Sequence, residues 1–390
     1  MLPGSRWDNI TSFIVMDVLE KAHELERAGK HVIHLEIGQP DFSTPECVKE
    51  AAIKAIRDGK TKYTHSLGII ELREAICRDY HERYGVAVHP DQVVVTPGTS
   101  PAMLLSFAAL LSPGDTVVVS DPHYACYPNF IRFAGGEPSF VPVSEADGFQ
   151  YRVRRIEPLV DQRTKAVLVN SPANPTGTLT SAERLRRLAG LGLTLLSDEI
   201  YHGLVYEGTE HSALEFTNDC FVFNGFSKRY AMTGWRLGYA IAPRAYIPVM
   251  QRMQQNFFIC TGSVAQWAGV AALTDAGEDV LRMRRVFDQR RRLLLDRLGG
   301  LGFTTKVEPT GAFYVFVDAS WVNPDSVELA FDILDKALVG VTPGLDFGPG
   351  GQGYLRFSYA NSLENIEMGM ERLRSYLERR GHCASSGDKC

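Results

Sequence analysis

The sequence predicts an α/β protein in which a mostly parallel sheet forms a large domain and a smaller α+β domain completes the chain. Short apolar runs alternate with segments of helical periodicity from about residue 43 onward. These runs show no polar and apolar alternation, which indicates strands that are covered on both faces. After about residue 271 a long charged helix introduces a different pattern. We expect a large domain at residues 46–284 and a small domain that combines residues 1–45 with 285–390.

The predicted elements begin with a helix after residue 43. Ser43, Thr44, Pro45 and Glu46 are typical of a helix start, and Gly59 is typical of a helix end. Continuous apolar runs then predict strands, and they cover residues 93–95, 117–119, 166–169, 193–196 and 221–223. Helical segments separate these runs, as a parallel sheet requires.

Capping signals and the later change of pattern predict the remaining elements. Thr180 and Glu183 form a capping-box signature ahead of a helix that runs to about Leu191. The last third of the chain predicts a charged helix at residues 278–298, a strand at 312–317, a helix at 326–337 and a strand at 354–358. A final helix follows the last of these strands. Acidic residues accompany the basic cluster on the charged helix, so we expect a solvated face. Residues 383–390 are expected to form a flexible tail.

The composition of the 390-residue chain is that of a globular protein and excludes several functions. A hydrophobic share of 45% supports sizeable cores, and a formal net charge of −5 provides no basic surface for nucleic acid. No apolar run approaches the roughly 20 residues of a membrane span, and residues 1–7 lack an export signal, so we expect a cytoplasmic protein. The seven cysteines form no Cys-x-x-Cys pair, so neither disulfides nor a metal site are expected.

Polar residues follow the predicted strands at the edge where ligands bind in open α/β sheets. Gly98, Thr99 and Ser100 lie between a strand and a helix, where free N–H groups and hydroxyls suit a phosphate. Further polar residues follow later strands, and they are Asn174, Asp198, Tyr201, Ser227 and Lys228. Each one alone is compatible with a helix cap or a solvent-facing side chain. Together they predict a binding site.

The chemistry that fits this set is a lysine Schiff base on a phosphorylated aromatic aldehyde, which indicates pyridoxal phosphate (PLP). Lys228 supplies the amine, and it can move a proton once a substrate has displaced it. Asp198 can pair with a protonated pyridinium nitrogen, which makes the ring an electron sink.

A series of short motifs runs through nearly the whole chain in one order. The motifs are Gly38-Gln39-Pro40-Asp41-Phe42, Tyr63 with Gly68-x-x-Glu71-Leu72-Arg73, Asn174-Pro175-Thr176-Gly177, Asp198-Glu199-Ile200-Tyr201, Ser227-Lys228, Gly234-Trp235-Arg236-Leu237-Gly238-Tyr239 and Tyr354-Leu355-Arg356-Phe357-Ser358. With them the sequence resembles the class I aminotransferases of PLP fold type I, in particular the short bacterial aspartate aminotransferases. The resemblance implies a ping-pong transfer of an amino group between an L-amino acid and a 2-oxo acid through a Lys228 aldimine.

The resemblance also implies roles for residues around the cofactor. Asp198 is expected to pair with the pyridinium nitrogen, while Tyr201 and Asn174 donate hydrogen bonds to the ring's phenolic oxygen. Tyr124 lies where the family stacks an aromatic ring on the cofactor. The residues implied at the cofactor phosphate are Gly98, Thr99, Ser100, Ser227 and Arg236.

Three further residues carry implications for substrate binding and assembly. Arg356 resembles the arginine that holds the substrate α-carboxylate, for which a bidentate guanidinium is suited. Gly38 would let the backbone approach the same carboxylate, next to Asn174. Tyr63 is similar to the tyrosine that reaches the phosphate of the neighbouring subunit, which implies a homodimer.

Two departures from the aspartate-using short forms affect the predicted substrate. Those forms carry a lysine at the position of Ser100, and a serine and a threonine near the first helix where this chain has Phe13 and Val15. Partners for a distal carboxylate are therefore missing, which favours apolar, aromatic or alanine-like substrates over aspartate. Glutamate would need a second cation, such as Arg282 or Arg285.

Other functions remain compatible with the same residues. An aspartate aminotransferase, a β-lyase or a cyclopropane-forming synthase of this fold would use the same lysine, aspartate and arginine. A regulatory protein with an aminotransferase-like body is disfavoured, because the segment ahead of the first strand is too short for a winged-helix domain.

Overall fold

A computed structural model of the chain describes residues 10–382. Its strands are β1 (Ile33–His34), β2 (Val93–Thr96), β3 (Thr116–Asp121), β4 (Glu137–Pro142), β5 (Thr164–Asn170), β6 (Thr194–Asp198), β7 (Cys220–Gly225), β8 (Gly238–Ile241), β9 (Tyr314–Asp318), β10 (Val339–Gly340), β11 (Thr342–Pro343) and β12 (Tyr354–Ser358). Its α-helices are α1 (Ile14–Arg27), α2 (Glu46–Arg57), α3 (Ile70–Tyr84), α4 (Thr99–Leu110), α5 (Tyr127–Phe133), α6 (Val153–Ile156), α7 (Ala182–Ala189), α8 (Ile247–Phe257), α9 (Ser263–Asp275), α10 (Gly277–Gly300), α11 (Ser326–Ala337) and α12 (Leu363–Arg379). The sequence predictions for residues 1–7 and 383–390 concern segments outside the described residues.

The large sheet has seven strands in the order β2-β8-β7-β6-β5-β3-β4. The pairs among β7, β6, β5, β3 and β4 are parallel, and β8 runs antiparallel to both of its neighbours. Because β8 reverses direction between β2 and β7, those two strands point the same way. The carboxyl ends of β2, β5, β6 and β7 therefore meet at one edge, which confirms the predicted mostly parallel α/β architecture.

The apolar runs form the strands because both faces of the sheet are buried. Val93, Val94 and Val95 of β2 are all fully buried, and alternate residues enter two different hydrophobic clusters. The strands β6 and β7 show the same division between clusters. Continuous apolar sequence is thus explained by helices that cover each face.

Two smaller sheets belong to the other part of the molecule. β11, β12 and β9 form an antiparallel sheet, and β1 pairs in parallel with β10. Helix α10 links the two parts, because Met283 packs in a cluster of the large sheet and Phe287 packs in the cluster around the small sheets. The division of the chain at residues 284 and 285 stays a prediction.

The structure corrects several local predictions. The side chain that caps α7 is Ser181, which accepts a hydrogen bond from the N–H of Arg184, so the capping box at Thr180 was wrong by one residue. Helix α2 begins after Pro45, whose side chain has no oxygen to cap the helix, and the Thr44 hydroxyl donates to the carbonyl of Ala231. β4 and β8 were not predicted. Within residues 10–382, every helix is too short or too polar to cross a bilayer.

Candidate active site

A cavity of about 300 Å³ lies at the edge of the large sheet where β5, β6 and β7 end. This volume is near the lower end of the range of roughly 300–1,000 Å³ that is usual for small-molecule sites. The predicted site residues that line it are Gly38, Thr99, Ser100, Tyr124, Asn174, Asp198, Tyr201, Ser227, Lys228, Arg236 and Arg356. The sheet register explains part of this convergence, because Asn170 at the end of β5 is paired with Asp198 at the end of β6.

Lys228 follows β7, and its side chain points into the cavity. Its ammonium donates a hydrogen bond of 2.6 Å to the carbonyl of Gly38. The pKa of Lys228 is lowered to about 8. Burial is the largest cause, the charges of Arg356 and Arg236 act in the same direction, and the charge of Asp198 opposes them. A substantial fraction of this amine is therefore neutral near pH 7.5, as a nucleophilic lysine requires.

Asp198 ends β6 and is almost fully buried, at 4% exposure. One oxygen accepts a 2.5 Å hydrogen bond from the hydroxyl of Tyr127, and the other accepts from the N–H of Ile200 at 3.2 Å. Burial raises the pKa of Asp198 to about 6 against these two hydrogen bonds. A carboxylate has more acceptor sites than these two donors use, so a cationic N–H in the cavity can still bind it.

Two side chains near Asp198 keep hydrogen-bond donors available. The hydroxyls of Tyr201 and Tyr314 lie 2.8 Å apart, so Tyr201 can donate into the cavity while it accepts from Tyr314. Asn174 accepts from Arg356 through Oδ1, and its backbone N–H donates to Oδ1 of Asn170. The amide nitrogen of the Asn174 side chain thus remains the group that can donate to a ligand.

An anion site is formed where α4 begins. No side chain among residues 10–382 caps this helix, so the N–H groups of its first turn and the positive end of its dipole are available to a ligand in the cavity. Gly98 precedes the helix with a φ of 98°, and a Cβ there would lie 2.5 Å from Nη2 of Arg236. Arg236 therefore packs closely on the start of α4, next to the lining residues Thr99, Ser100 and Ser227. This combination of guanidinium, hydroxyls and helix N-terminus suits a phosphate.

Arg356 lies on β12 and is held in place from several sides. Its Nη1 donates to Oδ1 of Asn174 at 2.8 Å, and its Nη2 donates to Oγ1 of Thr342 at 3.0 Å and to the carbonyl of Glu36. The Tyr314 ring lies 4.3 Å from the guanidinium. The Nε of Arg356 is buried and has no hydrogen-bond partner among residues 10–382. A buried unsatisfied donor of this kind is suited to a carboxylate ligand.

Gly38 is required by its neighbours. A Cβ at this position would lie 2.1 Å from the hydroxyl of Tyr314, so only glycine permits that close approach. The carbonyl of Gly38 also accepts the hydrogen bond from Lys228. The glycine therefore allows Tyr314 and the lysine to meet at one side of the cavity.

Aromatic and apolar side chains also line the cavity. The ring of Phe13 meets that of Tyr124 edge to face, with centroids 6.0 Å apart and an interplanar angle of 87°. Val15, Met16 and Met103 line the same cavity. Phe13 and Val15 thus line the cavity, and the preference for apolar substrates stays a prediction.

Tyr63 does not join the other predicted residues. It does not line the cavity and is 81% exposed, in a separate cleft with Ile70 and Trp267. Arg282 and Arg285 also lie outside the cavity lining, and Arg282 pairs with Asp279. Neither arginine supplies a second cation to the site in this structure.

The sequence argument missed two tyrosines that support the site. Tyr127, the first residue of α5, donates a hydrogen bond to Asp198, and its position three residues after Tyr124 was a usable signal. Tyr314 contacts both Tyr201 and Arg356 from β9. These contacts join residues more than 40 positions apart, so no local pattern identifies Tyr314.

Comparison with known proteins identifies the family. A family model described as aminotransferase class I and II matches residues 30–373. The chain belongs to this family. It is 41% identical over 375 residues to the (5-formylfuran-3-yl)methyl phosphate transaminase of Methanocaldococcus jannaschii, with 95% of this chain and 98% of the relative covered. It is 42% identical over 370 residues to the aspartate/prephenate aminotransferase of Thermus thermophilus, with 92% and 94% covered.

A solved structure agrees with this assignment. Aspartate aminotransferase from Thermus thermophilus with maleate superposes with a TM-score of 0.91 at 40% identity, covering 96% of this chain and 99% of that one. The predictions of a PLP-dependent aminotransferase that acts on amino acids and 2-oxo acids, and of PLP fold type I, are thereby confirmed.

The charges of the cavity fit PLP independently of these relatives. Among residues 10–382, the lining holds the cations Lys228, Arg236 and Arg356 but only one carboxylate, Asp198. Arg356 and Arg236 lower the pKa of Lys228, so the site favours added negative charge. A phosphate and a substrate carboxylate supply it.

Proposed function

We propose that this aminotransferase takes L-amino acids with apolar, aromatic or alanine-like side chains as amino donors. The observation that carries the proposal is the presence of the apolar side chains of Phe13, Val15, Met16 and Met103 in the cavity lining. Each buried methylene contributes roughly 0.8 kcal/mol, so such a lining rewards a substrate whose side chain is apolar.

The charges of the cavity support the same substrate class. Every lining cation already has a partner in this scheme, because Lys228 binds the cofactor, Arg236 meets the phosphate and Arg356 meets the substrate α-carboxylate. A second substrate carboxylate would need another cation or several donors, because a buried unpaired charge costs several kcal/mol. Ser100 offers only a hydroxyl for this purpose.

We assign the cofactor contacts to the residues that line the cavity. Asp198 would hold the pyridinium nitrogen, with Tyr127 fixing the orientation of its carboxylate. Tyr201 and Asn174 would donate to the phenolic oxygen, and Tyr124 would cover the ring. The groups assigned to the phosphate are the N-terminus of α4 after Gly98, Thr99, Ser100, Ser227 and Arg236.

PLP supplies an electron sink that lowers the cost of removing the α-proton of the amino acid. The work of this chain is to position and to move that proton. Arg356, together with Gly38 and Asn174, would hold the α-carboxylate and so fix the direction of the Cα–H bond. Lys228, whose lowered pKa of about 8 leaves a fraction of the amine neutral at physiological pH, would accept the proton at Nζ and return it.

A homodimer in the cytoplasm completes the proposal. Tyr63 is 81% exposed in the single chain, beside the exposed apolar residue Ile70, which suits a residue that a second copy of the chain would cover. In such a dimer Tyr63 would reach the phosphate of the neighbouring site. The described cysteines are all free thiols, as is usual in a reducing compartment.

The substrate class is tested by steady-state kinetics with one common 2-oxo acid acceptor. We expect kcat/KM for phenylalanine, leucine or methionine to exceed that for aspartate by at least about tenfold. A ratio that favours aspartate would contradict the apolar-site proposal, although it would leave the aminotransferase assignment intact.

The shared site is tested by mixing two impaired variants under subunit-exchange conditions. Lys228→Ala and Tyr63→Phe subunits should together regenerate some complete sites, because each subunit supplies what the other lacks. Tyr63→Phe combined with itself provides the matched control. A fully active monomer would contradict the proposed dimer.

A further inference from the structure

Helix α1 begins without a capping group of its own. Its N-cap residue is Phe13, which has no side-chain oxygen to accept from the first N–H groups. The carboxylate of Asp346 does this instead, with Oδ1 2.7 Å from the nitrogen of Ile14 and Oδ2 3.3 Å from that of Val15. More than 300 residues separate the carboxylate from the helix that it caps. Asp346 is itself 7% exposed.

The capped turn is also a wall of the active site. Phe13, Val15 and Met16 all line the cavity, and they flank or form the first turn of α1. The contact between Phe13 and Tyr124 sets the distance from this turn to the aromatic ring beside the cofactor site. Any shift of the helix start would therefore move the surface that faces the substrate side chain.

The turn that carries Asp346, Gly344–Phe347, is fixed to other parts of the site. The carbonyl of Phe347 accepts a 2.9 Å hydrogen bond from the N–H of His123, which precedes Tyr124. The Phe347 ring lies 4.9 Å from the guanidinium of Arg356. The turn that carries Asp346 thus links the start of α1 to the residues before Tyr124 and to Arg356.

We propose that Asp346 is a positioning residue that controls substrate selection by holding Phe13 and Val15 against the cavity. The inference rests on the proposed apolar substrate class and names the residue that maintains it. Asp346 does not line the cavity. It acts through the first turn of α1, where a carboxylate binds two N–H groups and the positive end of the helix dipole.

The rest of α1 has its own support. Val18, Ala22 and Leu25 pack with Val32 and Leu334 in a separate hydrophobic cluster. Loss of the cap should therefore release the first turn and leave the helix attached. This separation makes the positioning role measurable without unfolding the protein.

The test compares wild type with Asp346→Ala in the complete PLP-loaded enzyme. We measure kcat and KM for phenylalanine and for alanine with one common acceptor. Asp346→Ala should lower kcat/KM for phenylalanine at least tenfold, mainly through KM, and should change that for alanine less than threefold. Alanine is spared because its methyl group makes few contacts with the wall.

A second variant and a second measurement keep the test decisive. Asp346→Asn retains one carbonyl oxygen for the N–H of Ile14, so it should fall between wild type and Asp346→Ala, and it serves if the alanine variant folds poorly. Hydrogen exchange of the apoenzyme should show the amides of Ile14 and Val15 exchanging at least tenfold faster in Asp346→Ala. This readout does not depend on activity.

Ser362→Ala provides a matched control, because Ser362 caps α12 through the N–H of Asn365 and does not line the cavity. It should lower the melting temperature and leave the ratio of phenylalanine to alanine kcat/KM unchanged. If Asp346→Ala behaves like this control, Asp346 is only a helix cap and the inference fails. An equal loss for both substrates would also overturn it. The wild-type preference separately tests the proposed substrate class, so the two failures are distinguishable.

Discussion

Two groups of buried charges in this protein have opposite surroundings. At the sheet edge, Asp198 accepts hydrogen bonds from neutral donors, a tyrosine hydroxyl and a backbone N–H. The second group lies around Arg229, which follows Lys228 in the chain. In this group Asp79 contacts the guanidinium groups of both Arg229 and Arg83. Glu210 contacts Arg83 as well. The acids of the second group thus have cationic partners within the protein.

The pKa values record this difference. Burial raises the pKa of Asp198 to about 6 and lowers that of Lys228 to about 8, so each group is held less firmly in its charged form. Burial acts on Glu210 in the same direction as on Asp198, but His202 and Arg83 outweigh it and lower the pKa to about 2. The comparison indicates that a carboxylate without a cationic partner in the protein serves a ligand, whereas carboxylates paired with arginines hold the fold.

The largest expected effect comes from Lys228→Met, which removes the amine and keeps the apolar stem. Transamination should fall by at least about 10⁴-fold, because the described part of the cavity lining contains no second lysine to form the imine or to move the proton. The measurement is the half-reaction rate with a saturating amino acid donor. Activity within a hundredfold of wild type would place the reactive amine elsewhere.

The same variant should stabilise the apoenzyme. The pKa of Lys228 is about 8 in the folded chain against 10.5 for an ordinary lysine, so the unfolded chain binds this proton more tightly. The resulting cost, on the order of 3 kcal/mol, is complete below pH 8 and disappears as the pH rises to 10.5. Apo Lys228→Met should thus be more stable than apo wild type at pH 7 and lose this advantage by pH 10.5. Equal stability at pH 7 would contradict the destabilisation that the unpaired lysine should cause.

The next largest effect on rate is expected for Asp198→Asn. The amide cannot stabilise a pyridinium charge, so kcat should fall on the order of a hundredfold, which corresponds to about 3 kcal/mol of transition-state stabilisation. The hydrogen bond from the N–H of Ile200 can persist, so the fold and cofactor binding should survive. Wild-type kcat in this variant would reduce Asp198 to a structural role.

Glu210→Gln tests the role of the second group of charges. The loss of a charge paired with Arg83 should reduce the free energy of unfolding by about 2–4 kcal/mol while kcat changes less than about threefold. Because the folded pKa of Glu210 is about 2 and its ordinary value is 4.5, the stabilisation is present above pH 4.5 and is lost as the pH falls towards 2. Denaturant unfolding across this range measures it.

Glu183→Gln is the control for that experiment, because Glu183 forms an exposed ion pair with Arg187 on α7. It should change the stability by less than about 1 kcal/mol. If Glu210→Gln leaves the stability equally unchanged but reduces kcat, the second group of charges has a catalytic role and the comparison is wrong.

The sequence was informative where local patterns determine structure. Continuous apolar runs predicted β2, β3, β5, β6 and β7 because each is buried on both faces, and polar residues at or after the ends of four of them line the cavity. β8 was missed because Gly238–Ile241 follows Arg236 without a turn signal, and its reversal depends on neighbours distant in the chain.

The supporting contacts of the site were less accessible to sequence reasoning. Tyr314 and Arg356 meet across the β9 and β12 pair, and Asp346 reaches α1 from the far end of the chain. These contacts depend on the pairing of β9 with β12 and on packing between segments that are distant in the chain. Motifs identify the groups that touch a ligand, whereas their positioning partners become visible only in the folded structure.

The smallest effect is expected in the pH dependence of cofactor rebinding to the apoenzyme. Only the neutral amine of Lys228 can react with the aldehyde of PLP. With a pKa of about 8, the neutral fraction rises about tenfold per pH unit below pH 7 and levels off above pH 8. The rate of the absorbance change on PLP addition should follow this curve. A rate that keeps rising towards pH 10 would indicate an unperturbed lysine.

The most direct test of the account is to locate the cofactor linkage. The PLP-loaded protein is reduced with borohydride, digested and analysed by peptide mass spectrometry. The incompletely paired charges at the sheet edge predict that the modified peptide contains Ser227 and Lys228. A stoichiometric modification at any other lysine, such as Lys60 or Lys62 near Tyr63, would contradict the assignment of this cavity as the cofactor site.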